Sequence, residues 1–105
     1  MEEYNKRIKK NYNNGILASR SVEDLISHEM AHVMTFQDCE TYQQLEEREY
    51  EVRGNCFAKG VTAYADSTWD GAECIAEGFV KLNNGEEIPE KLRKDIESYI
   101  ERWRK

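Results

Sequence analysis

The sequence has few histidines, few cysteines and no long apolar run. It contains two histidines, three cysteines and one proline in 105 residues. No segment approaches the roughly 20 apolar residues of a membrane-spanning helix, and the charged, polar N-terminus is unlike a secretory signal. The cysteines form neither a C-x-x-C pair nor an even disulfide set, so we expect reduced thiols in a cytoplasmic protein. At this length we expect one domain, residues 1–105.

The sequence also lacks any cluster of positive charge. Its 21 acidic and 15 basic residues give a net charge of −6 and are interleaved along the predicted helices. Proteins that bind nucleic acid or anionic membranes use basic patches to attract their partners. The composition therefore argues against both kinds of partner.

Both histidines lie in one short stretch, His28-Glu29-x-x-His32. On a helix, residues four apart lie on the same face, so both imidazoles can point at one ion. Glu29 is rotated away from His28, which lets its carboxylate reach a water on that ion without being a ligand. This is the H-E-x-x-H arrangement of zinc peptidases, in which zinc lowers the pKa of bound water to about 7 and a carboxylate takes the proton. The alternative is a chance grouping on an ordinary surface helix.

The residues around this motif favour a helix in the protein core. Apolar residues cover much of the helix circumference, and buried histidines need polar partners, which a metal ion supplies. The apolar residues are Leu25, Ile26, Ala31, Val33, Met34 and Phe36.

Apolar spacing, capping patterns and glycine stops divide the chain into helices and short connections. We predict helices at residues 1–14, 21–36, 41–59, 70–82 and 89–105. We also predict a single strand at 15–19, leading into the motif helix, and a loop or short extended stretch at 61–69. The predicted fold class is α+β, mostly α, with an active-site helix, a glutamate-bearing helix and a small strand element.

The sequence leaves the third metal ligand open. Catalytic zinc usually takes three protein ligands and one water, and with no third histidine the missing ligand is a cysteine or a carboxylate from a later helix. Glu51, Glu73 and Glu77 are the candidates. Glu73 and Glu77 are four apart, so one can bind the metal while the other holds a histidine N–H. Alternatively, both are solvated glutamates of an acidic protein.

Tyr64-Ala65 and Glu73-x-x-Ala-Glu77, following the H-E-x-x-H helix, resemble sequences of the gluzincin-type zinc peptidases. Relatives of that group include the catalytic domain of anthrax lethal factor and peptidase domains of phage head proteins. The resemblance covers residues 15–79. Two departures are a longer spacing between Tyr64 and Glu73, with an apparent insertion at 66–71, and an alanine where the family has glycine before the second histidine.

The resemblance implies a zincin-like core, zinc as the cofactor and a protein or peptide as the substrate. It implies that His28, His32 and Glu73 bind zinc. Glu29 would be the general base, and Tyr64 would donate a hydrogen bond to the oxyanion that develops in the transition state. A phage or mobile-element origin follows from the same resemblance.

A second resemblance assigns the third ligand differently. The stretch from Glu51 to Ala58, Glu-Val-Arg-Gly-Asn-Cys-Phe-Ala, is similar to the helix that supplies the zinc-binding glutamate in repressor-cleaving peptidases of mobile elements. It would make Glu51 the ligand and Glu73 a structural residue. We favour Glu73, because the Tyr-Ala and Ala-Glu elements also match the gluzincins.

Two other functions compete with peptide hydrolysis. The zinc could be structural and the domain an interaction or assembly module, or the metal site could be vestigial. Peptidases of this class hold substrate against the edge of a sheet. Since only residues 15–19 offer such an edge, we expect the chain to work as part of a larger protein or assembly.

Overall fold

The structure of this chain, a computed structural model, describes the backbone of residues 2–104 and the side chains of residues 6–104. Within these residues it contains six α-helices and no strand. The predicted α+β fold is therefore wrong, and the described part of the chain is a helical bundle. The helices are α1 (Glu2–Asn13), α2 (Val22–Thr35), α3 (Tyr42–Asn55), α4 (Ala63–Thr68), α5 (Gly71–Asn83) and α6 (Glu90–Arg104).

The segment at residues 15–19, predicted to be a strand, is an irregular connection after α1. Gly15 bends the chain with a φ of 73°, a conformation that glycine adopts without strain. The carbonyls of Gly15 and Ile16 accept hydrogen bonds of 3.0 Å from the amides of Ala63 and Tyr64 at the start of α4. Backbone groups that a strand would pair with another strand are thus used by a helix N-terminus, and no sheet forms here.

Residues 61–69, predicted to be a loop or extended, contain the short helix α4. The β-branched pair Val61 and Thr62 suggested extended structure, but Thr62 acts as an N-cap. Its side-chain oxygen accepts a hydrogen bond of 3.1 Å from the Ala65 amide. This cap satisfies one of the free amides at the helix start and places Tyr64 in the first turn.

The predicted starts of α2 and α5 agree with the structure to within one residue. The Ser21 hydroxyl accepts a hydrogen bond of 3.3 Å from the Asp24 amide, and Asp24 accepts one of 2.9 Å from the Arg20 amide. Asp70 Oδ1 accepts a bond of 2.9 Å from the Ala72 amide at the start of α5. These side chains satisfy amides that have no partner within the helix.

The central helix of the fold is α5, which packs against α2, α3, α4 and α6. It runs antiparallel to α2, because Asn84 Nδ2 donates to Asp24 Oδ2 at 3.0 Å near one end while His32 lies 3.1 Å from Glu73 near the other. The apolar core forms on the other sides of α5. Its largest fully buried apolar side chains are Val52, Cys74, Ile75, Val80, Leu92 and Ile96.

The motif helix α2 is less buried than its apolar pattern predicts. Its inner face buries Ala31 and Met34, whereas Ile26, Met30 and Val33 are 59%, 50% and 53% exposed. These three residues follow one another at spacings of four and three, so they form a stripe on one face of the helix. Among the residues that the structure describes, only one side of α2 is covered.

The three cysteines are free in the structure. Burial raises the pKa of Cys56 to about 11 and also raises the pKa of Cys74. Both thiols therefore remain protonated at neutral pH and behave as packing residues. No helix of the described residues has both the length and the apolar character needed to cross a membrane.

Candidate metal centre

The antiparallel packing of α2 and α5 brings His28, His32 and Glu73 together. The two histidine Nε2 atoms lie 3.2 Å apart. Glu73 Oε2 is 3.2 Å from His28 Nε2, and Glu73 Oε1 is 3.1 Å from His32 Nε2. One ligand atom from each residue can be chosen so that all lie within 4.8 Å of one another. This group could hold a metal ion.

The separations of 3.1–3.2 Å are ordinary hydrogen-bond distances, and they are also compatible with ligand atoms around a four-coordinate metal ion. Tetrahedral zinc with bonds of about 2.0–2.1 Å places neighbouring ligand atoms about 3.3 Å apart. Two imidazole nitrogens and one carboxylate also form a known donor set for catalytic zinc, with the fourth position open. Glu73 Oε2 is buried, and no hydrogen bond within the described residues satisfies it. A bound cation would supply the partner that this oxygen lacks.

Glu77 supports the site from behind His28. Its side chain is fully buried, and Oε2 lies 3.0 Å from His28 Nδ1. Oε1 accepts hydrogen bonds from the Ala18 amide at 3.2 Å and from Thr62 Oγ1 at 3.0 Å. Because the carboxylate accepts the Nδ1 proton, Nε2 is the nitrogen on which a metal ion would replace a proton. Glu77, which the sequence left as a candidate metal ligand, therefore lies on the opposite edge of the ring from His32.

The charges of the cluster favour a cation. Burial lowers the pKa of His28, but the nearby carboxylates of Glu73 and Glu77 outweigh burial and raise it to about 9. The neighbouring rings of His28 and then His32 hold the pKa of Glu73 well below its usual range, against the effect of burial. Two carboxylates around one buried ring therefore stabilise positive charge, whether it comes from a proton or a metal ion.

Glu29 and Tyr64 lie at the solvent side of the cluster. Glu29 is exposed on α2, and Tyr64 is 37% exposed, with its ring centre 6.3 Å from that of His28. Burial is the main cause that raises the pKa of Tyr64, followed by Glu73, Glu77 and the charge of Glu29. Tyr64 therefore lies close enough to the cluster for the negative charges of Glu73, Glu77 and Glu29 to act on its hydroxyl.

The structure does not bring Glu51 to the histidines. Glu51 is exposed on α3 and lines a cavity against α6 with Lys91 and Asp95. Cys74 follows Glu73 in the chain, but its thiol donates to the Ala58 carbonyl at 3.4 Å, so it points away from the site. Neither residue belongs to the group that could hold a metal among the described residues.

Sequence reasoning missed Thr62 and a cavity beside the site. A threonine before a short helix is a recognisable N-cap signal, but its contact with Glu77 joins residues 15 apart in the chain, which no local pattern indicates. The cavity has a volume of about 370 Å³ and opens between α2, α3 and α5. It is lined by His32, Phe36, Leu45, Glu49, Asp70, Ala72 and Glu73.

Comparison with known proteins yields no relative. No family model matches the chain, and neither the curated proteins nor the solved structures include a significant match.

Proposed function

We propose that this chain is a zinc-dependent peptidase that hydrolyses peptide bonds with a metal-activated water. The observation that supports this most is that His28, His32 and Glu73 come together while Glu29 and Tyr64 are exposed. The H-E-x-x-H motif and the resemblance to gluzincins favour the same chemistry. Such a site combines a place for the ion, a proton acceptor and an oxyanion donor.

Each residue has a distinct role in the proposed reaction. A bound zinc ion would lower the pKa of a water to about 7 and polarise the peptide carbonyl. Glu29, adjacent to His28 but outside the ligand group, would accept the proton of the attacking water and return it to the leaving amine. Glu77 keeps the His28 ring in one orientation through its bond to Nδ1.

Tyr64 would stabilise the negative oxygen that forms when the carbonyl is attacked. Its raised pKa keeps the hydroxyl protonated at neutral pH, so it can donate a hydrogen bond. A donor held in place before the reaction stabilises charge that exists only in the transition state. The helix α4 carries this tyrosine, and the Thr62 cap links α4 to Glu77.

A second candidate is a zinc-stabilised interaction or assembly domain without catalysis. Residues 2–104 contain no strand whose edge could hold an extended substrate, unlike peptidases that bind by strand addition. The exposed stripe of Ile26, Met30 and Val33 is also of a kind that partner proteins cover. In this case the metal would hold α2 against α5, and Glu29 would have no chemical role.

The Glu29→Gln variant separates the two candidates. The substitution keeps the side-chain size and all three candidate ligands, so we expect unchanged zinc content and melting temperature. Removal of a general base lowers the rate about 10²- to 10⁴-fold, so cleavage of an unstructured protein such as casein should be lost. Tyr64→Phe should lose less activity while keeping the metal.

Glu23→Gln is the matched control, because Glu23 is exposed on the same helix and outside the cluster. It should cleave casein at the wild-type rate. Equal cleavage by wild type and Glu29→Gln would attribute the activity to a contaminant. Zinc binding without cleavage of any member of a broad peptide library would favour the structural role.

A further inference from the structure

The cavity beside His32 is positioned to hold part of a ligand next to the candidate metal centre. His32 and Glu73 line the cavity and also belong to the metal-capable group. A side chain inserted into it would therefore belong to a residue close to the reacting bond. The cavity is an open depression rather than an enclosed void, so a chain lying on the surface can reach into it.

The inner surface of the cavity is partly apolar. Phe36 at the end of α2, Leu45 of α3 and Ala72 of α5 contribute to its lining. Leu45 is aliphatic and 39% exposed, so part of its side chain is accessible to a ligand in the cavity. Such a surface suits the methylene stem of a long side chain, because removing apolar surface from water lowers the free energy of binding.

Two carboxylates besides Glu73 line the same cavity. Glu49 is exposed, and it forms no ion pair or side-chain hydrogen bond within the part of the chain that the structure describes. Asp70 uses Oδ1 to cap α5. The cation nearest in sequence is Arg48. It donates hydrogen bonds to the carbonyls of Thr35 and Gln37 at 2.8 and 3.1 Å, so its guanidinium caps the C-terminal end of α2.

We propose that this cavity binds a lysine or arginine side chain of the substrate, with Glu49 and Asp70 pairing with its charge. The inference rests on the proposed peptidase function and adds a preference for basic residues near the cleaved bond. An apolar stem and a terminal cation fit the apolar lining and the two carboxylates together. A wholly apolar side chain would contact the apolar lining but would leave the two carboxylates unpaired.

Binding to inactive protein tests the inference without cleavage. Zinc-loaded Glu29→Gln protein is titrated into a fluorescent alanine-rich peptide with one lysine, and into the same peptide with norleucine at that position. The pair differs by the charge but keeps the stem. We expect the lysine peptide to bind about two- to fivefold more tightly, as partly exposed ion pairs allow, with a smaller difference at high salt.

Glu49→Gln in the same background should reduce the lysine preference, since Asp70 remains, and leave the norleucine affinity unchanged. Glu47→Gln is the matched control, because Glu47 is exposed on α3 and does not line the cavity. Equal binding of the two peptides, tighter binding of norleucine, no saturable binding of the lysine peptide, or equal effects of the two substitutions would each overturn the inference.

Failure of this inference is distinguishable from failure of the proposed function. Cleavage of casein by active protein, with cut sites located by mass spectrometry, reports the function independently of the binding assay. Cuts with no enrichment of lysine or arginine nearby would reject the basic-residue preference alone. Selective lysine binding without any cleavage would reject the peptidase function, and with it the role of the cavity in catalysis.

Discussion

His28 is the residue on which the candidate site depends, because both of its ring nitrogens face a carboxylate. Nδ1 lies 3.0 Å from Glu77 Oε2, and Nε2 lies 3.2 Å from Glu73 Oε2. The first contact orients the ring and the second faces the ligand group. The two glutamates of α5 therefore contact opposite nitrogens of the ring, and in the proposed site they would have different roles.

The identity of the third ligand is testable at this scale. Glu73→Gln should weaken zinc binding strongly, because an amide is a poorer zinc ligand than a carboxylate and a negative charge is lost. Glu51→Gln is the control and should bind zinc like wild type, since Glu51 lies against α6. Competition with a chelating dye measures both affinities. A larger loss of zinc affinity in Glu51→Gln than in Glu73→Gln would assign the third ligand to α3 and contradict the geometry described above.

At the scale of elements, α5 approaches α3 so closely that only glycine fits at the contact. A Cβ at Gly71 would overlap the carbonyl oxygen of Val52 and lie 2.9 Å from backbone atoms of Cys56 and Phe57. The backbone of α3 cannot move without disturbing Val52, which is fully buried. This contact fixes the N-terminal end of α5, where Glu73 lies.

Gly71→Ala should therefore destabilise the protein by about 1–3 kcal/mol, as overpacking does in other cores. Gly54→Ala is a matched control on α3, because no atom lies within 4 Å of a Cβ placed there. That substitution should stabilise the helix by about 0.5–1 kcal/mol. Urea denaturation of both variants measures the free energy of unfolding. If Gly54→Ala were the more destabilising variant, α5 would not approach α3 as closely as described above.

Thr62 connects two elements of the site, because its hydroxyl caps α4 and also donates to Glu77. The hydrogen bonds are 3.1 Å from the Ala65 amide and 3.0 Å to Glu77 Oε1. Thr62→Val removes both at constant shape, so we expect a loss of about 1–3 kcal/mol in stability. Thr62→Ser keeps the hydroxyl and should stay close to wild type. If valine and serine gave the same denaturation midpoint, the hydroxyl would have no stabilising role.

At the scale of the whole molecule, the candidate ligands join helices that are far apart in the chain. A metal ion that binds only the folded arrangement stabilises the entire domain, because the unfolded chain does not hold its ligands together. Zinc at a free concentration of about 100 times its dissociation constant should add about 2.7 kcal/mol.

For a domain of this size, that addition corresponds to a rise of about 10–20 °C in melting temperature. Differential scanning calorimetry with and without zinc measures it, and a chelator should reverse it. His32→Ala is the control and should lose most of the rise, since His32 is one of three candidate ligands. An equal rise in this variant would place the stabilising zinc elsewhere on the protein.

Much of the helical structure was predictable because its signals are local. The Ser21 and Asp70 caps mark the beginnings of α2 and α5 within one residue, and Pro89 immediately precedes α6. The failures occur where backbone groups found distant partners. Residues 15–19 include apolar side chains suited to a strand, but the carbonyls of Gly15 and Ile16 accept hydrogen bonds from the start of α4. No property of that segment alone predicts which partner its carbonyls find.

The candidate site shows the same division between local and distant information. The spacing of His28 and His32 already places both rings on one helical face, since that follows from helix geometry. The spacing of Glu73 and Glu77 likewise makes them neighbours on another helix. Sequence spacing cannot select among three possible glutamates, because ligation depends on which helix packs against α2. The antiparallel packing of α5 on α2 places Glu73 beside the two histidines, whereas Glu77 bonds to Thr62 and Glu51 lies against α6.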